Sequence, residues 1–279
     1  MKWYERLQRI DNRILYVTLA VAVAIPAFAR LRMPIPPTTE TLGAYRAVES
    51  VPPGRLVMVH STWDAGTIGE CEGQCRAVIE HLMSRGKPFV IWTSNPASPP
   101  FYNRIIEETA RRHGRVYGRD WVDFGYKVPG GAMAFGVQAM ARDFPGYMKE
   151  DVRGTPVSQI PVLRNVRDAR DFDLIVTIGY NPIGEFIQFV QAVYGTKVVF
   201  GIAAINSTTT YSYIDSKQIV GMLVGARGGA EYEVLVRRPG RGVQIIMAQS
   251  FGHLLIVVLV VLANVAAIAQ RRAVRRQSV

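Results

Sequence analysis

The hydrophobic pattern of this chain is nearly continuous at its two ends and intermittent between them. Residues 14–29 form one apolar segment, and residues 251–269 form another. A helix needs about 20 mostly apolar residues to cross the roughly 30 Å hydrocarbon layer of a membrane. The pattern therefore predicts a transmembrane helix near each end, over residues 14–32 and, together with its lead-in, over residues 241–270.

The first apolar segment has two interpretations. A basic stretch followed by an apolar one is also typical of a cleaved signal peptide. Small residues at Ala27 and Ala29 would suit a cleavage site, but Arg30 follows them directly and is unfavourable there. We therefore favour an uncleaved anchor, with cleavage as the alternative.

Basic residues flank the two predicted spans unequally. The tails, residues 1–13 and 271–279, carry eight Lys and Arg residues, whereas the flanks that face the centre of the chain carry five. Lys and Arg collect on the cytoplasmic side of membrane helices. The chain is therefore predicted to be a multi-pass protein of the cell membrane, with an amphipathic first tail, both termini cytoplasmic and the central domain extracytoplasmic.

Between the ends, short apolar runs alternate with stretches of helical periodicity. Residues 33–53 are proline-rich and predict a linker, which leaves residues 54–240 for the central domain. The runs that predict buried strands are 56–60, 88–93, 121–126, 173–178 and 197–203. Continuously apolar strands that alternate with helices are typical of a parallel sheet covered on both faces. The pattern predicts an α/β, Rossmann-like domain with a doubly wound, mainly parallel sheet of about five strands.

A last helix is predicted over residues 216–236, with Gly221, Gly225 and Gly229 four residues apart. Glycine costs roughly 1 kcal/mol in a helix interior. The stripe therefore indicates close approach by a neighbour, either the sheet of the same chain or another subunit. Asn264 is polar inside the second apolar segment and is a candidate contact between membrane helices. These four interface candidates predict a homo-oligomer or association with other membrane proteins.

The net charge of +11 would suit a nucleic-acid-binding protein. Eight of the positive charges, however, lie in the two tails, where they orient the spans and meet anionic lipid. No basic stripe interleaved with aromatic residues occurs in the sequence. The expected partner is the lipid bilayer and not a nucleic acid.

Candidate ligand-binding residues follow from the predicted sheet, because ligands bind beyond the carboxyl ends of parallel strands. The polar and glycine residues at those positions are His60, Ser61, Asp64, Glu70, Ser94, Asn95, Gly130, Gly131 and Asn181. Asp64 and Glu70 could act as acid and base or hold a hard cation. The alternative is a structural role for both residues, in which Asp64 caps a turn and the negative charge of Glu70 stabilises a helix N-terminus.

The sequence contains few other motifs that indicate a function. The sequence has no GxSxG motif, no phosphate-loop motif, and no GxGxxG after the first predicted strand. Cys71 and Cys75 are the two cysteines of the chain, and their spacing fits two small packed residues or, in an oxidising exterior, a disulfide. No metal and no cofactor is predicted.

Four other polar residues need no chemical role. His81 and His113 fall on predicted helices and are expected to be solvated. Glu231 and Glu233 fall on the stretch that leads toward the second span, where they either form a solvated turn or meet Arg237 or Arg238 near the bilayer surface. Solvation is the ordinary state of such residues.

The function that fits these features is a binding, scaffolding or assembly subunit of a membrane complex. The alternative is a membrane-tethered enzyme, or a binder of an unidentified small molecule, that uses the carboxyl-end edge of the sheet. Whether the protein is an enzyme stays open at this point, because the sequence lacks a catalytic signature.

Overall fold

A computed structural model describes residues 10–29, 34–128, 133–179 and 183–277. The chain divides into two compact units. One is an α/β domain of residues Ile35–Val243, and the other is a helical unit that combines Met1–Pro34 with Gln244–Val279.

The α/β domain is built on one sheet of six parallel strands. The strands are β1 (Leu56–Thr62), β2 (Phe89–Thr93), β3 (Trp121–Tyr126), β4 (Phe172–Gly179), β5 (Lys197–Ile202) and β6 (Gly221–Val224). Their order across the sheet is β3-β2-β1-β4-β5-β6. The predicted α/β class and parallel sheet are confirmed, and the order fits a Rossmann-like arrangement in which the direction of winding reverses between β1 and β4.

Helices follow the strands along the chain. In the domain they are α2 (Thr39–Glu49), α3 (Ile68–Ser84), α4 (Pro99–His113), α5 (Met133–Arg142), α6 (Phe144–Met148), α7 (Ile183–Phe186, continued by Ile187–Gln191 as a π-helical turn and by Ala192–Tyr194), α8 (Ser207–Asp215) and α9 (Gly225–Leu235). The helical unit contains α1 (Asn12–Ala29) and most of α10 (Arg241–Gln277).

Two apolar layers enclose the sheet. Helices α2, α3, α4 and α9 contribute to the layer on one face, whereas α5, α6, α7 and residues 157–169 contribute to the layer on the other. All seven residues of β1 and all five of β2 are buried. Burial on both faces explains why these strands are apolar throughout and do not alternate.

The sheet has one strand more than the sequence predicts. The predicted helix over residues 216–236 is wrong in its first part, because Gly221–Val224 forms β6 beside β5 and the helix begins only at Gly225. Met222 and Leu223 are fully buried at this edge. Gly225 has φ 56°, and this left-handed conformation separates strand from helix.

Two segments whose sequences show no regular pattern contain helices or helical turns in the domain. The predicted linker contains α2, whose Ala44, Ala47 and Val48 join the core. The proline-containing stretch between β3 and β4 consists of α6 and three short 3₁₀ turns, and it buries Phe144, Leu163 and other side chains against the sheet.

Among the described residues of the helical unit, one helix is long and apolar enough to cross a membrane. It covers Arg241–Ala273, and only 11% of its most apolar window is buried within the protein. The apolar part of α1, Asn12–Pro26, is shorter than the roughly 20 residues that such a span needs. The two predicted membrane segments are therefore both helical, but one candidate span is shown and not two.

Candidate functional site

The carboxyl ends of β1 and β4 lie side by side where the winding of the sheet reverses. Thr62 and Gly179 are partners in register. A side chain at position 179 would overlap the backbone of Thr62, whose carbonyl atoms lie 2.9 Å from the place of a Cβ atom. Glycine at 179 therefore allows the two strand ends to approach closely, at the point where ligands bind in sheets of this order.

Asp64 joins the loops that follow β1 and β2. One carboxylate oxygen accepts a hydrogen bond from the Gly66 backbone at 2.9 Å, and the other accepts from the Asn95 side chain at 3.1 Å. The first bond is the turn cap that the sequence suggests, and the second brings two of the candidate residues together. Asn95 also accepts a bond from the Ala97 backbone, so it shapes its own loop.

Glu70 faces different partners. Its carboxylate accepts a hydrogen bond from the Ala204 backbone at 2.6 Å, in the segment that follows β5. The same carboxylate lies beside Gly225, where a Cβ atom would come within 2.9 Å of it. Asp64 therefore contacts the loop that follows β2, whereas Glu70 contacts the segment that follows β5. Each carboxylate is hydrogen-bonded within the domain.

His60 and Ser94 are brought together on the other face of the sheet. The Nε2 atom of His60 lies 3.1 Å from the Ser94 hydroxyl, and its Nδ1 atom lies 3.0 Å from the Thr177 hydroxyl. The imidazole packs against Trp92, with ring centroids 4.3 Å apart, and against Phe186. Complete burial lowers the pKa of His60 to about 3, so the ring is neutral and bridges two hydroxyls.

Ser61 points away from this pair. Neighbouring residues of a strand face opposite sides of the sheet, and Ser61 is fully buried. Its hydroxyl has no hydrogen-bond partner among the described residues. His60 and Ser61 therefore belong to different surroundings although they are adjacent in sequence.

The other three candidates for ligand binding are Gly130, Gly131 and Asn181, and they lie outside the described residues. The ligand-binding roles of these three residues therefore stay predictions. The described part of the edge consists of the Asp64–Asn95 pair, the Glu70–Ala204 contact and the His60–Ser94 pair.

The three interface glycines do not share one helix. Gly221 lies in β6 against the backbone of Ala44, Gly225 opens α9 beside Glu70, and Gly229 lies in α9 against the backbone at Gly73 and Gln74. Each glycine is approached closely by another part of the same chain. The glycines thus account for the tight packing of α2 and α3 near β6 and α9.

The two cysteines are free thiols inside the core. Burial raises the pKa of Cys71 and of Cys75 to about 12 in each case, so both stay protonated. Among the described residues, no group of three or more His, Cys, Asp or Glu side chains is arranged to hold a metal ion.

Sequence reasoning missed two buried carboxylates on α9. Glu231 and Glu233 are each 1% exposed, so the interpretation of the two as a solvated turn is wrong, and the ion pair that Glu231 makes is with Arg227. Glu231 accepts hydrogen bonds from the backbone and hydroxyl of Thr38 and from the Thr41 hydroxyl, at 2.7–2.9 Å. Although burial alone would raise it, these bonds and the Arg227 guanidinium hold the pKa of Glu231 below its usual range.

Glu233 closes the start of α10. Its carboxylate accepts hydrogen bonds from the backbone of Gly240, Gly242 and Val243 at 2.8–3.0 Å. Burial raises the pKa of Glu233, and the three backbone donors oppose that rise. One signal in the sequence could have revealed this role. The residues Pro239 and Gly240 before the helix include no Ser, Thr, Asp or Asn to cap it.

His81 is also buried and not solvated as predicted, with 1% of its surface exposed. Its two ring nitrogens lie 2.8 Å from the Tyr232 hydroxyl and 2.7 Å from the Glu49 carboxylate. His113 is partly exposed and lies 2.8 Å from the carboxylate of Glu80.

Comparison with known proteins adds no assignment. No family model matches the chain, and no curated protein or solved structure is detectably similar to it.

Proposed function

We propose that this protein is a two-pass membrane protein whose extracytoplasmic α/β domain serves as a binding, scaffolding or assembly subunit of a membrane complex. The exposed surface of α10 supports the membrane part. Side chains such as Leu254, Val257, Val260 and Val261 are more than half exposed on this helix. A contiguous apolar surface of this kind is typical of contact with lipid or with other membrane helices.

The N-terminal helix supplies the second span in this proposal. A Cβ atom at Gly252 of α10 would lie 3.4 Å from Val23 and 3.9 Å from Leu19, so α1 packs against α10 at a glycine. Small residues at such contacts let membrane helices approach closely. Ile14, Val17 and Val21 of α1 remain more than half exposed. The excess of basic residues in the two tails supports a cytoplasmic position for both termini in this proposal.

Helix α9 holds the chain where it enters and where it leaves the α/β domain. Glu231 binds Thr38, close to the first residue of the domain, and Glu233 binds Val243, the last residue of the domain. Two carboxylates on one helix thus fix both ends of the domain. A domain whose ends are fixed in this way suits a subunit that presents a defined surface to its partners.

The observation that carries the assembly proposal is the position of Asn264. Its side chain is exposed within residues 254–269 of α10, which are otherwise apolar, and its amide group donates a hydrogen bond to Val260 of the same helix. Polar side chains in hydrocarbon favour hydrogen bonds across helices. The proposed partner of Asn264 is therefore a second copy of this chain or another membrane helix.

Substitution of Asn264 tests this proposal. In mild detergent and in bilayers, we expect the wild-type protein to cross-link to a second copy or to co-purify with a membrane partner. Asn264→Leu should weaken that association by about 1 kcal/mol, or roughly fivefold. Val261→Leu, an apolar change on the same exposed helix, is the matched control. A wild-type protein that runs as a lone monomer, without cross-linked neighbours, would contradict the proposal.

A second candidate function is that of a membrane-tethered enzyme or small-ligand binder at the sheet edge. The His60–Ser94 contact favours it, because a serine hydroxyl beside a neutral imidazole is the arrangement used to activate a nucleophile. The Thr177 hydroxyl would fix the orientation of the ring. The absence of a carboxylate partner for this histidine among the described residues makes it a weak base.

A fluorophosphonate probe separates this candidate from a purely structural histidine. If Ser94 is an activated nucleophile, its oxygen displaces fluoride from the probe, and the protein is labelled. Ser94→Ala should abolish labelling, whereas Ser207→Ala, which removes a serine hydroxyl after β5, should leave it unchanged. An unlabelled wild-type protein would exclude the nucleophile version of this function.

A further inference from the structure

A cavity lies away from the sheet edge, where three helices of the domain end. It has a volume of about 450 Å³. Its walls come from α2, from the last turn of α3, and from the ends of α4 and α9. Glu70 and Arg85 are 15 residues apart on and just after α3, which corresponds to roughly 22 Å along a helix. The cavity is therefore separate from the candidate site at the strand ends.

The interior wall of this cavity is rigid. The Tyr45 ring stacks on the His81 ring, with centroids 4.6 Å apart and planes 16° from parallel. His81 is held between Tyr232 and Glu49 through both nitrogens. A wall whose polar groups are already bonded offers a fixed shape to a ligand.

The charges around the cavity are predominantly positive. Three arginines line it, Arg85, Arg237 and Arg238, against one carboxylate, that of Glu80. Glu80 is already neutralised, because it contacts Arg112 at 2.5 Å, His113 at 2.8 Å and Arg238 at 3.3 Å. Arg85 in turn lies 3.1 Å from the carboxylate of Glu49, and Arg238 shares the carboxylate of Glu80, so two of the three guanidinium groups already have an ion pair.

Of these three arginines, Arg237 has no ion pair in the part of the chain that the structure describes. It follows the end of α9 in the left-handed conformation, with φ 58°. The Arg238 backbone donates a hydrogen bond to the Glu233 carbonyl at 2.9 Å, which completes the turn that ends the helix. Glycine is usual at such a position, so an arginine there indicates a use for its side chain.

A favourable interaction with the helix C-terminus is the simpler explanation of a cation at this position. Lys217 occupies the same kind of position in another turn, since it follows the end of α8 with φ 59°. What distinguishes Arg237 is its place beside two further arginines at one cavity. Lys217 therefore provides a matched control for the turn itself.

We propose that this cavity binds the phosphate group of an anionic ligand through Arg85, Arg237 and Arg238. Guanidinium groups bind phosphate oxygens by paired hydrogen bonds, with a geometry that an ammonium group lacks. The phosphate could belong to a soluble molecule or to a lipid headgroup, since Arg238 lies only three residues before α10.

Calorimetric titration of the purified full chain in maltoside detergent with inorganic phosphate tests the site. We expect submillimolar binding to the wild-type protein and at least a tenfold loss of affinity in Arg237→Ala. Lys217→Ala, which removes one positive charge from a turn of the same conformation, should change the affinity less than twofold. No binding by the wild-type protein, or equal losses in the two variants, would overturn the proposal.

The source of the phosphate is resolved by repeating the titration in lipid nanodiscs. If the natural ligand is an anionic lipid headgroup, phosphatidylglycerol discs should suppress phosphate binding relative to phosphatidylcholine discs, and Arg237→Ala should reduce the phosphatidylglycerol that co-purifies. If the ligand is soluble, the two disc compositions should give the same affinity. Both results support the cavity as a phosphate site, and they identify its ligand.

Discussion

At the scale of single residues, buried ionisable side chains make several of the specific hydrogen bonds of this protein. His60, Glu231 and Glu233 are almost completely inaccessible, and all of them are hydrogen-bonded. The alternation of apolar runs and helices predicted that His60 lies near the carboxyl end of a parallel strand. It could not predict that the ring would bond Ser94 and Thr177, because those contacts depend on the pairing of β1 with β2 and β4.

The pH dependence of stability provides a prediction for His60. Its pKa is about 3 in the folded protein, whereas the pKa of a solvated histidine side chain is 6.5. The unfolded chain therefore binds the proton more readily, and stability should fall as the pH falls from about 6.5 toward 3. The full contribution is roughly 5 kcal/mol for a shift of this size.

Tryptophan fluorescence during thermal unfolding, recorded across this pH range in detergent, would measure the effect. We expect His60→Gln to flatten the pH dependence relative to the wild-type protein, because glutamine does not titrate. An unchanged slope in His60→Gln would show that other groups produce the acid sensitivity.

The role of Glu233 leads to a second prediction at this scale. Glu233→Ala leaves three backbone N–H groups at the start of α10 without their acceptor. An unsatisfied buried donor costs about 1–3 kcal/mol, so we expect a loss of roughly 2–3 kcal/mol in the free energy of unfolding. Glu150→Ala, at an exposed position, should change it by less than about 0.5 kcal/mol. Equal effects in chemical denaturation would contradict the capping role.

The strands and helices were predictable from sequence where apolar runs were long and continuous. Five strands follow directly from such runs, whereas β6 does not, because it has four residues and lies between Gly221 and Gly225. Glycines four apart resemble a helical stripe, and only the pairing with β5 reveals a strand. Helix α2 was missed because prolines on both sides suggested a linker.

Substitution of Gly221 tests the packing of α2 on β6. A Cβ atom there would overlap the backbone of Gly43 and Ala44, which cannot move as a flexible side chain can. We expect Gly221→Ala to destabilise the domain by about 2–3 kcal/mol, as overpacking does. Gly69→Ala is the matched control, because position 69 is helical and has no neighbour within 4 Å of a Cβ atom. A neutral Gly221→Ala in denaturant titrations would show that α2 does not pack this closely.

At the scale of the whole molecule, the sequence predicted the apolar helix near the C-terminus better than it predicted the contacts of the candidate sites. Continuous hydrophobicity identifies α10 as a candidate span without any knowledge of the fold. The sites depend on residues far apart in sequence. Glu80 meets Arg238, and Glu231 meets Thr38, only after the helices pack. No local pattern contains these contacts, so sequence reasoning left them as solvated charges or missed them.

The topology that we propose has the α/β domain outside the cell and both termini inside. Cysteine labelling in intact cells tests it most directly, because Cys71 and Cys75 are fully buried and should not react. A new cysteine at exposed Ser216 in the domain is compared with one at Ser278 in the basic tail, using a membrane-impermeant maleimide. We predict that Ser216→Cys is labelled in intact cells and that Ser278→Cys is labelled only after permeabilisation. Labelling of Ser278→Cys in intact cells, or protection of Ser216→Cys until lysis, would contradict the account.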